Sequence, residues 1–598
     1  MKIDKLYKIR HSLAHLLATA ILEIDPKAKF GIGPVTENGF YYDFLLSKKI
    51  EQKDLPLIEN KIKELIKKNI KFERKKISLT KAKKFFKNLN QPFKLELIND
   101  LQKYSTTEYE KILDIKDKKI KPKKINYVTL YKTYKFIDLC RGGHVSKSSE
   151  INLESFKLTK IAGAHWRGNE NNPMLTRIYG VAFETKEQLE SYLKWEEEVQ
   201  KRDHRILGQE LELFTVDENV GSGLILWLPK GAIIRQTIQE FIIDIYKKNN
   251  YQLVFTPHIT KQKLFEISGH LSYYQENMYY PIKIEGENYY LKPMNCPFHL
   301  TIYKQKTKSY RDLPIRYAEL GTVYRYERSG TLSGLTRVRG FTQDDGHIIC
   351  TFNQLPEEIH NCLNLVKFIL EKFGFKDFKV FLSIWDKSNK KKYLGTNKEW
   401  QFAIESLKKS VEKLNWQYEI MKGEAAFYGP KIDVVVKDAL GRDWQISTIQ
   451  LDFNLTKKFD LAYIDKDNKT KKPYLIHRAL LGSIERFIGL LIEHYEGNLP
   501  FWLSPIQIAI IPVNINHLSY AEKLLELLKE KNYRVKILEA TESLSKRILI
   551  AEKEKIPYMI IIGDKEIKEN KISIRKHKIG NIGTLSLNKF LQIISKEY

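Results

Sequence analysis

The densest set of chemically capable side chains lies in residues 314–351, PIRYAELGTVYRYERSGTLSGLTRVRGFTQDDGHIICT. Two alternating, strand-like runs flank a loop rich in Gly, Ser and Thr, the pattern of a long-looped antiparallel hairpin. Residues two apart share a strand face. Arg325 and Glu327 are therefore expected on one face of the first run, and Gln343, Asp345 and His347 on one face of the second. Buried charge is costly unless paired, so such a face is expected to stay open to a charged ligand. A salt-bridged exposed sheet face is the competing reading. Arginine gives planar, bidentate recognition of phosphate. No GxxxxGK[ST] sequence occurs, so a P-loop is excluded and a nucleotide would have to be held on the sheet by arginines.

A second set lies near the start. His11 and His15, in HSLAH, are four apart and share a helix face. Cys140 and His144, in IDLCRGGHV, flank a Gly-Gly turn, with Asp138 two before the cysteine. Three imidazoles and a thiol have metal-ligand chemistry. HSLAH is not a metalloprotease signature, because Ser12 stands where HExxH has its glutamate. Cys296, His347 and His477 are too far apart for spacing to signal a metal; alone, each reads as a buried thiol or a polar strand residue.

These residues must be positioned by a chain of 598 residues, which as a prior is about four domains. Hydrophobic residues make up 42% and charged ones 29%, too apolar for a disordered chain. No run of about 18 apolar residues exists, so no membrane span is expected. The N-terminus breaks its apolar runs too often for a secretory signal. Four cysteines in so long a chain are no disulfide framework and suggest a reducing compartment. Lys+Arg 101 against Asp+Glu 73 gives +28, which invites a polyanion such as nucleic acid. A general habit of Lys-, Ile-, Asn- and Tyr-rich composition explains the balance equally well. The basic stretches 61–88 and 116–124 read as a solvated helix face and a loop rather than an RNA patch. Residues 186–212 have the periodicity and charge of a connecting helix. Beyond residue 505, strand and helix patterns alternate as in a small α/β domain with a mostly parallel sheet. The helix expected over Gly231–Asn249 has an apolar stripe that suits either a homodimer seam or an internal core face.

The run YRYERSG…RVRGFTQDDGH resembles the second signature motif of the class II aminoacyl-tRNA synthetases. YLIHRALLGSIERFIGLLIEHY (474–495) is similar to the third motif and PKGAIIRQTIQEFIIDIYKKNNYQLVFTPH (229–258) to the first, while HIGH and KMSKS are absent. KPMNCPFH (292–299), GEAAFYGPKID (423–433), WQISTIQLDF (444–453) and IHRALLGSIERF (476–487) resemble the threonyl-specific family of that class. The resemblance runs the length of the chain. It implies an α+β multidomain fold: an α/β editing domain over 1–188, a connecting helix over 189–208, an antiparallel-sheet catalytic domain over 209–502 and an α/β anticodon-binding domain over 503–598.

It also implies activation of L-threonine with ATP and transfer to tRNA(Thr). Arg325 would hold the α-phosphate, Arg486 the γ-phosphate, and Arg337 a further phosphate oxygen. Glu327, Gln343, Gln445, Thr448 and Gln450 would bind ATP or adenosine; Asp345, Tyr428 and Met294 would bind threonine. Cys296, His347 and His477 would carry one Zn2+ with an open position for the amino and hydroxyl groups, and Mg2+ would accompany ATP. A hydroxyl-binding site rejects valine, which an apolar pocket separates by only about a hundredfold. Serine lacks just a methyl, so His11, His15, Asp138, Cys140 and His144 would hydrolyse Ser-tRNA(Thr), without obligatory metal. Glu566 and Arg575 match positions that read anticodon bases, exposed charges being the alternative. A cytoplasmic homodimer with no membrane association is implied. Two departures stand out. Gly143 occupies a place where the family often has Pro. HSLAH begins at residue 11, leaving no room for the β-grasp domain that bacterial relatives usually carry first.

Overall fold

The computed structural model describes residues 4–108, 112, 125–169 and 171–597. The basic stretch 116–124 lies outside them. The chain forms two compact units, residues 1–197 and 198–598.

The first unit is built on the helix Lys5–Ile24, whose start is fixed by Asp4 accepting the Tyr7 N–H at 2.6 Å. Ile9, Leu13, Leu17 and Ile21 recur at helical spacing and enter a core with Phe40, Phe44, Ile58 and Ile62. An antiparallel sheet orders the strands Lys29–Phe30, Gly39–Leu45, Met174–Ala182 and Phe156–His165. A second antiparallel sheet joins Phe72–Ser78, Tyr127–Thr133 and Phe136–Leu139. The basic residues of 61–88 fall on the helices Leu55–Lys67 and Leu79–Asn88 and the strand between them, with apolar faces buried and most lysines exposed, as a solvated face requires.

The expected connecting helix is broken in two, Lys186–Lys201 and His204–Glu210, because Asp203 caps the second by accepting the Arg205 N–H at 2.8 Å. The second unit's main sheet has eight strands, in the order Gln252–Leu253, Ile315–Tyr324, Gly340–Cys350, Tyr474–Ser483, Asp443–Asp452, Lys431–Lys437, Phe378–Ile384 and Tyr418–Lys422. The interior pairs are antiparallel and the two edge pairs parallel. The helix Pro229–Lys248 begins two residues before the expected span and ends one residue short of it, its entry set by Pro229. Its stripe of Ile234, Ile238, Ile242 and Ile245 is buried in this chain's own core with Ile359, Leu363, Val366 and Leu491, so the periodicity reports an internal face.

Arg478 and Asp344 form a wholly buried ion pair at 2.8 Å, with the guanidinium between the rings of Tyr246 and Tyr251. Gly346 is required there, since an added Cβ would lie 2.6 Å from the guanidinium. The C-terminal sheet orders Val535–Ile537, Ile508–Pro512, Tyr558–Ile562, Ile572–Lys576 and Gly580–Leu585. The first three strands are parallel and the last two antiparallel, so the sheet is mixed rather than mostly parallel. The short turn at 577–579 can only join an antiparallel pair.

Candidate functional sites

One cleft of about 610 Å³ opens on the main sheet. Arg325, Glu327, Arg337, Gln343, Asp345, Gln445, Thr448, Gln450, Tyr428, Met294, Cys296, His347, His477 and Arg486 all line it. The antiparallel hairpin pairs Tyr317 with His347, Glu319 with Asp345 and Gly321 with Gln343, which fixes the polar face. Arg325 and Glu327 differ from expectation. They follow the end of the strand Ile315–Tyr324 and belong to the loop rather than the strand face. Arg325 stacks over Phe341 at 5.0 Å and donates to the Pro293 carbonyl at 3.3 Å. Arg337 meets Glu327 at 2.9 Å. Arg486, in the first turn of the helix Ile484–His494, donates to the Gln445 carbonyl at 2.6 Å. Burial lowers its pKa, a desolvation that an anion in the cleft would offset.

Cys296, His347 and His477 converge at the inner end, with one donor atom of each within 4.8 Å of the others, and all three residues are buried. Cys296 is the first residue of the helix Cys296–Lys304. His347 and His477 are opposed across neighbouring strands. His347 Nε2 and His477 Nδ1 lie 2.9 Å apart, two nitrogens turned to one point. Their far nitrogens are held: His347 Nδ1 by His299 Nδ1 at 2.8 Å, His299 Nε2 by Glu319 at 3.1 Å, and His477 Nε2 by Asp452 at 3.1 Å. Asp452 is itself fixed by the N–H groups of Asn454 and Leu455, at 2.7 and 3.0 Å. Burial, aided by His299 and His477, holds the His347 pKa well below its usual value, so the ring is neutral. Burial, with Asp345 and Asp452 adding to it, pushes the Cys296 thiol well above its usual range. Three donors backed by oriented carboxylates fit a zinc ion, whose charge would offset that penalty on the thiolate. Beside them, Asp345 accepts from Asn295 at 3.1 Å, and the Tyr428 hydroxyl donates to Gln450 at 2.5 Å. Sequence reasoning missed His299, Glu319 and Asp452. Their signal was polarity at buried positions of otherwise apolar runs.

In the first unit, His11, His15, Cys140 and His144 present donor atoms within 4.8 Å of one another. Cys140 Sγ lies 3.5 Å from His11 Nε2 and 3.3 Å from His144 Nε2. Burial, with Asp138 adding to it, pushes the Cys140 thiol up to about 12, while burial drives the pKa values of His11, His15 and His144 down. The cluster is therefore neutral near pH 7. Asp138 sits behind it, buried, accepting from the Tyr42 hydroxyl at 2.6 Å and paired with Lys94, with His15 Nε2 at 3.6 Å. Lys94 and Tyr42 were missed. A lysine on the inward face of the helix Pro92–Tyr104, beside Phe93, Leu97 and Ile98, was the available sign. Gly142 and Gly143 have φ of +103 and +93, which proline cannot adopt, so this turn differs from a proline-bearing one.

Glu566 and Arg575 lie apart from both clusters. Glu566 accepts the Gly563 N–H at 3.0 Å at the start of the helix Asp564–Glu569. Arg575, on the strand Ile572–Lys576, has a buried Nε with no partner among the described residues.

An antiparallel sheet beside an arginine-lined cleft, with an α/β domain following, is the arrangement of the class II aminoacyl-tRNA synthetases. Residues 280–495 match the tRNA synthetase class II core domain (G, H, P, S and T), 507–597 the anticodon binding domain, and 128–179 the threonyl and alanyl tRNA synthetase second additional domain. Threonine–tRNA ligases from Sulfurihydrogenibium sp. (strain YO3AOP1) and Aquifex aeolicus (strain VF5) are 49% and 47% identical over 99% of this chain and 89% of their own lengths. The RNA-binding domain of threonyl-tRNA synthetase from Cryptosporidium parvum Iowa II superposes with a TM-score of 0.63 at 38% identity, over 66% of this chain and 98% of that one. The chain belongs to the threonine–tRNA ligase family. It is an aminoacyl-tRNA synthetase that uses ATP with Mg2+ to charge tRNA with threonine and carries an editing domain. Among the described residues no helix is long and apolar enough to cross a membrane.

Proposed function

We propose that the cleft activates threonine by positioning and charge stabilisation, and that Cys296, His347 and His477 hold the zinc ion that selects it. The carboxylate of threonine attacks the α-phosphorus of ATP, giving an acyl adenylate and pyrophosphate. A carboxylate is already a nucleophile, so the site needs fixed cations more than a general base. Arg325 holds the α-phosphate and its developing charge, Arg486 the γ-phosphate, and Arg337 exchanges Glu327 for a phosphate oxygen. Glu327 is then free to accept from the adenine amino group, while Gln343, Gln445, Thr448 and Gln450 line the adenosine and substrate pocket. Bound zinc would supply an electrophile for the amino and hydroxyl groups of the substrate. Asp345 accepts the hydroxyl proton, a contact valine cannot make, and Met294 and Tyr428 close the pocket.

The observation that carries this reading is the convergence of a thiol and two imidazoles beside Asp345 at the end of an arginine-lined cleft. Threonine-dependent ATP–pyrophosphate exchange tests it. Exchange should stop after zinc removal and return with zinc; activity in metal-free enzyme would refute the zinc role.

In the first unit we assign His11, His15, Cys140, His144 and Asp138 to hydrolysis of Ser-tRNA(Thr), with the neutral imidazoles orienting water. The working boundaries are editing over 1–188, a helical connection over 189–208, catalysis over 209–502 and anticodon binding over 503–598, with Arg575 and Glu566 touching anticodon bases. The chain acts as a cytoplasmic homodimer. Support for the dimer is the exposure of Phe255 and Tyr280, 86% and 87%, near the exposed Ile259, Ile282 and Ile284. Support for the reducing compartment is that all four cysteines are free.

A further inference from the structure

A third group of metal-capable side chains, Asp203, His204 and Glu493, belongs to neither site. Both ring nitrogens of His204 are engaged. Nδ1 donates to Glu493 Oε1 at 2.6 Å, and Nε2 accepts the backbone N–H of Leu335 at 2.9 Å. The first contact fixes the tautomer that leaves a lone pair for the second. Glu493 is anchored in turn: Arg442 donates to its other oxygen at 2.5 Å and to Asp438 at 2.6 Å. His204, Glu493 and Leu335 are all buried, so these are structural commitments rather than an open ligand set.

Leu335 is the tip of a small closed loop. Ser333 and Arg337 exchange backbone hydrogen bonds, at 3.1 and 3.2 Å, and send the residues between them inward. Gly334 has φ +47, and an added Cβ would lie 2.2 Å from His204 Nε2. Across the groove, a Cβ on Gly489 would come within 3.2 Å of Leu335 Cβ and 3.5 Å of the His204 ring. The imidazole thus grips the loop where two glycines leave room for it. Arg337, which closes the loop, reaches Glu327 through Nε at 2.9 Å and Nη2 at 2.8 Å.

We propose that His204 is a positioning residue for ATP: its Nε2 lone pair, aimed by Glu493, holds the Leu335 amide and so fixes the loop that presents Arg337 and Glu327 to the nucleotide. This rests on the reading of Arg337 as a phosphate contact. Loss of the acceptor would leave a buried N–H without a partner and let the loop move away from its binding geometry.

Two near-isosteric variants of the full chain separate the roles of the two nitrogens. In His204→Gln the side-chain oxygen can still accept from Leu335, but the bond to Glu493 is lost. In His204→Asn the amide can still donate to Glu493, but nothing reaches Leu335. In ATP–pyrophosphate exchange, His204→Asn should raise the KM for ATP about tenfold and leave the KM for threonine unchanged. His204→Gln should stay within about threefold of wild type. A wild-type ATP KM in folded His204→Asn would overturn the proposal. So would equal losses in both variants that move the threonine KM and melting temperature together. Arg337→Ala, run alongside, should also raise the ATP KM. If it does not while His204→Asn does, the loop positioning stands and the phosphate role of Arg337 falls.

Discussion

Asp452→Asn should weaken the proposed zinc site without touching a ligand. Asp452 Oδ1 takes two backbone N–H groups, from Asn454 at 2.7 Å and Leu455 at 3.0 Å, while Oδ2 takes the Nε2–H of His477 at 3.1 Å. An asparagine that keeps its oxygen toward the backbone turns its NH2 toward His477. Nε2 must then accept, and the proton moves to Nδ1, the nitrogen that faces His347 Nε2 at 2.9 Å. The opposite amide orientation preserves the tautomer but strands two buried N–H donors, each costing about 1–3 kcal/mol. Neither orientation is free. Loss of an outer partner of a ligating histidine weakens metal binding about 10–100-fold. That corresponds to about 1.4–2.7 kcal/mol. The assay is competition with a calibrated chelator at fixed pH, together with the threonine KM in pyrophosphate exchange. Zinc affinity should fall by that factor and the threonine KM should rise, with the ATP KM unchanged. Affinity within twofold of wild type and an unaltered threonine KM would show that the carboxylate does not set the tautomer.

Arg325→Ala should abolish pyrophosphate exchange, since the stacked guanidinium over Phe341 is the cation assigned to the α-phosphate; exchange at the wild-type rate removes that role. The double variant His11→Ala with His15→Ala should charge threonine normally but accumulate Ser-tRNA, and unimpaired deacylation by it would move editing elsewhere. Lys94→Met should destabilise the first unit by about 3–5 kcal/mol, because it leaves Asp138 charged and buried, so a melting transition unchanged from wild type would contradict the pairing. Cys140 should resist alkylation at pH 8. A thiol pushed up to about 12 gains thiolate only as pH rises toward that value, so its thiolate fraction at pH 8 is ~10⁻⁴, and rapid labelling there would sink the neutral-cluster reading.

What the sequence made legible was whatever repeats locally. Alternation marked the strands Ile315–Tyr324 and Gly340–Cys350, and the helix Pro229–Lys248 follows from a three- and four-residue apolar rhythm bounded by Pro229. Strand ends were less visible, because alternation continues through Tyr324-Arg325-Tyr326-Glu327 although pairing stops at Tyr324. The helix break before His204 was hidden because one capping aspartate outweighs a continuous charged pattern. The convergence of Cys296, His347 and His477 depends on which strands pair. Spacing carries no trace of it, and only the resemblance of motifs pointed there. The outer shell of His299, Glu319 and Asp452 was invisible for the same reason. Each becomes meaningful once its neighbour across the sheet is known.

The two clusters of imidazole and thiol differ in a way that suits different chemistry. In the cleft, the far nitrogens of His347 and His477 are tied through His299 to Glu319 and to Asp452, so the near nitrogens are presented as lone pairs toward one point. In the first unit the far nitrogen of His144, Nδ1, meets the Ser12 hydroxyl at 3.3 Å, and its ring packs against Phe72, His11, His15 and Tyr131. Asp138, 3.6 Å from His15 Nε2, is already committed to Lys94 and Tyr42. With Asp138 so committed, the cluster lacks the free carboxylate backing that His347 and His477 have, and a thiol pushed up to about 12 disfavours a covalent thiolate pathway. In the proposed editing role, ester hydrolysis at such a site would proceed by aiming a water molecule at the carbonyl. A methyl-sized difference between seryl and threonyl esters can then be read by whether that water fits.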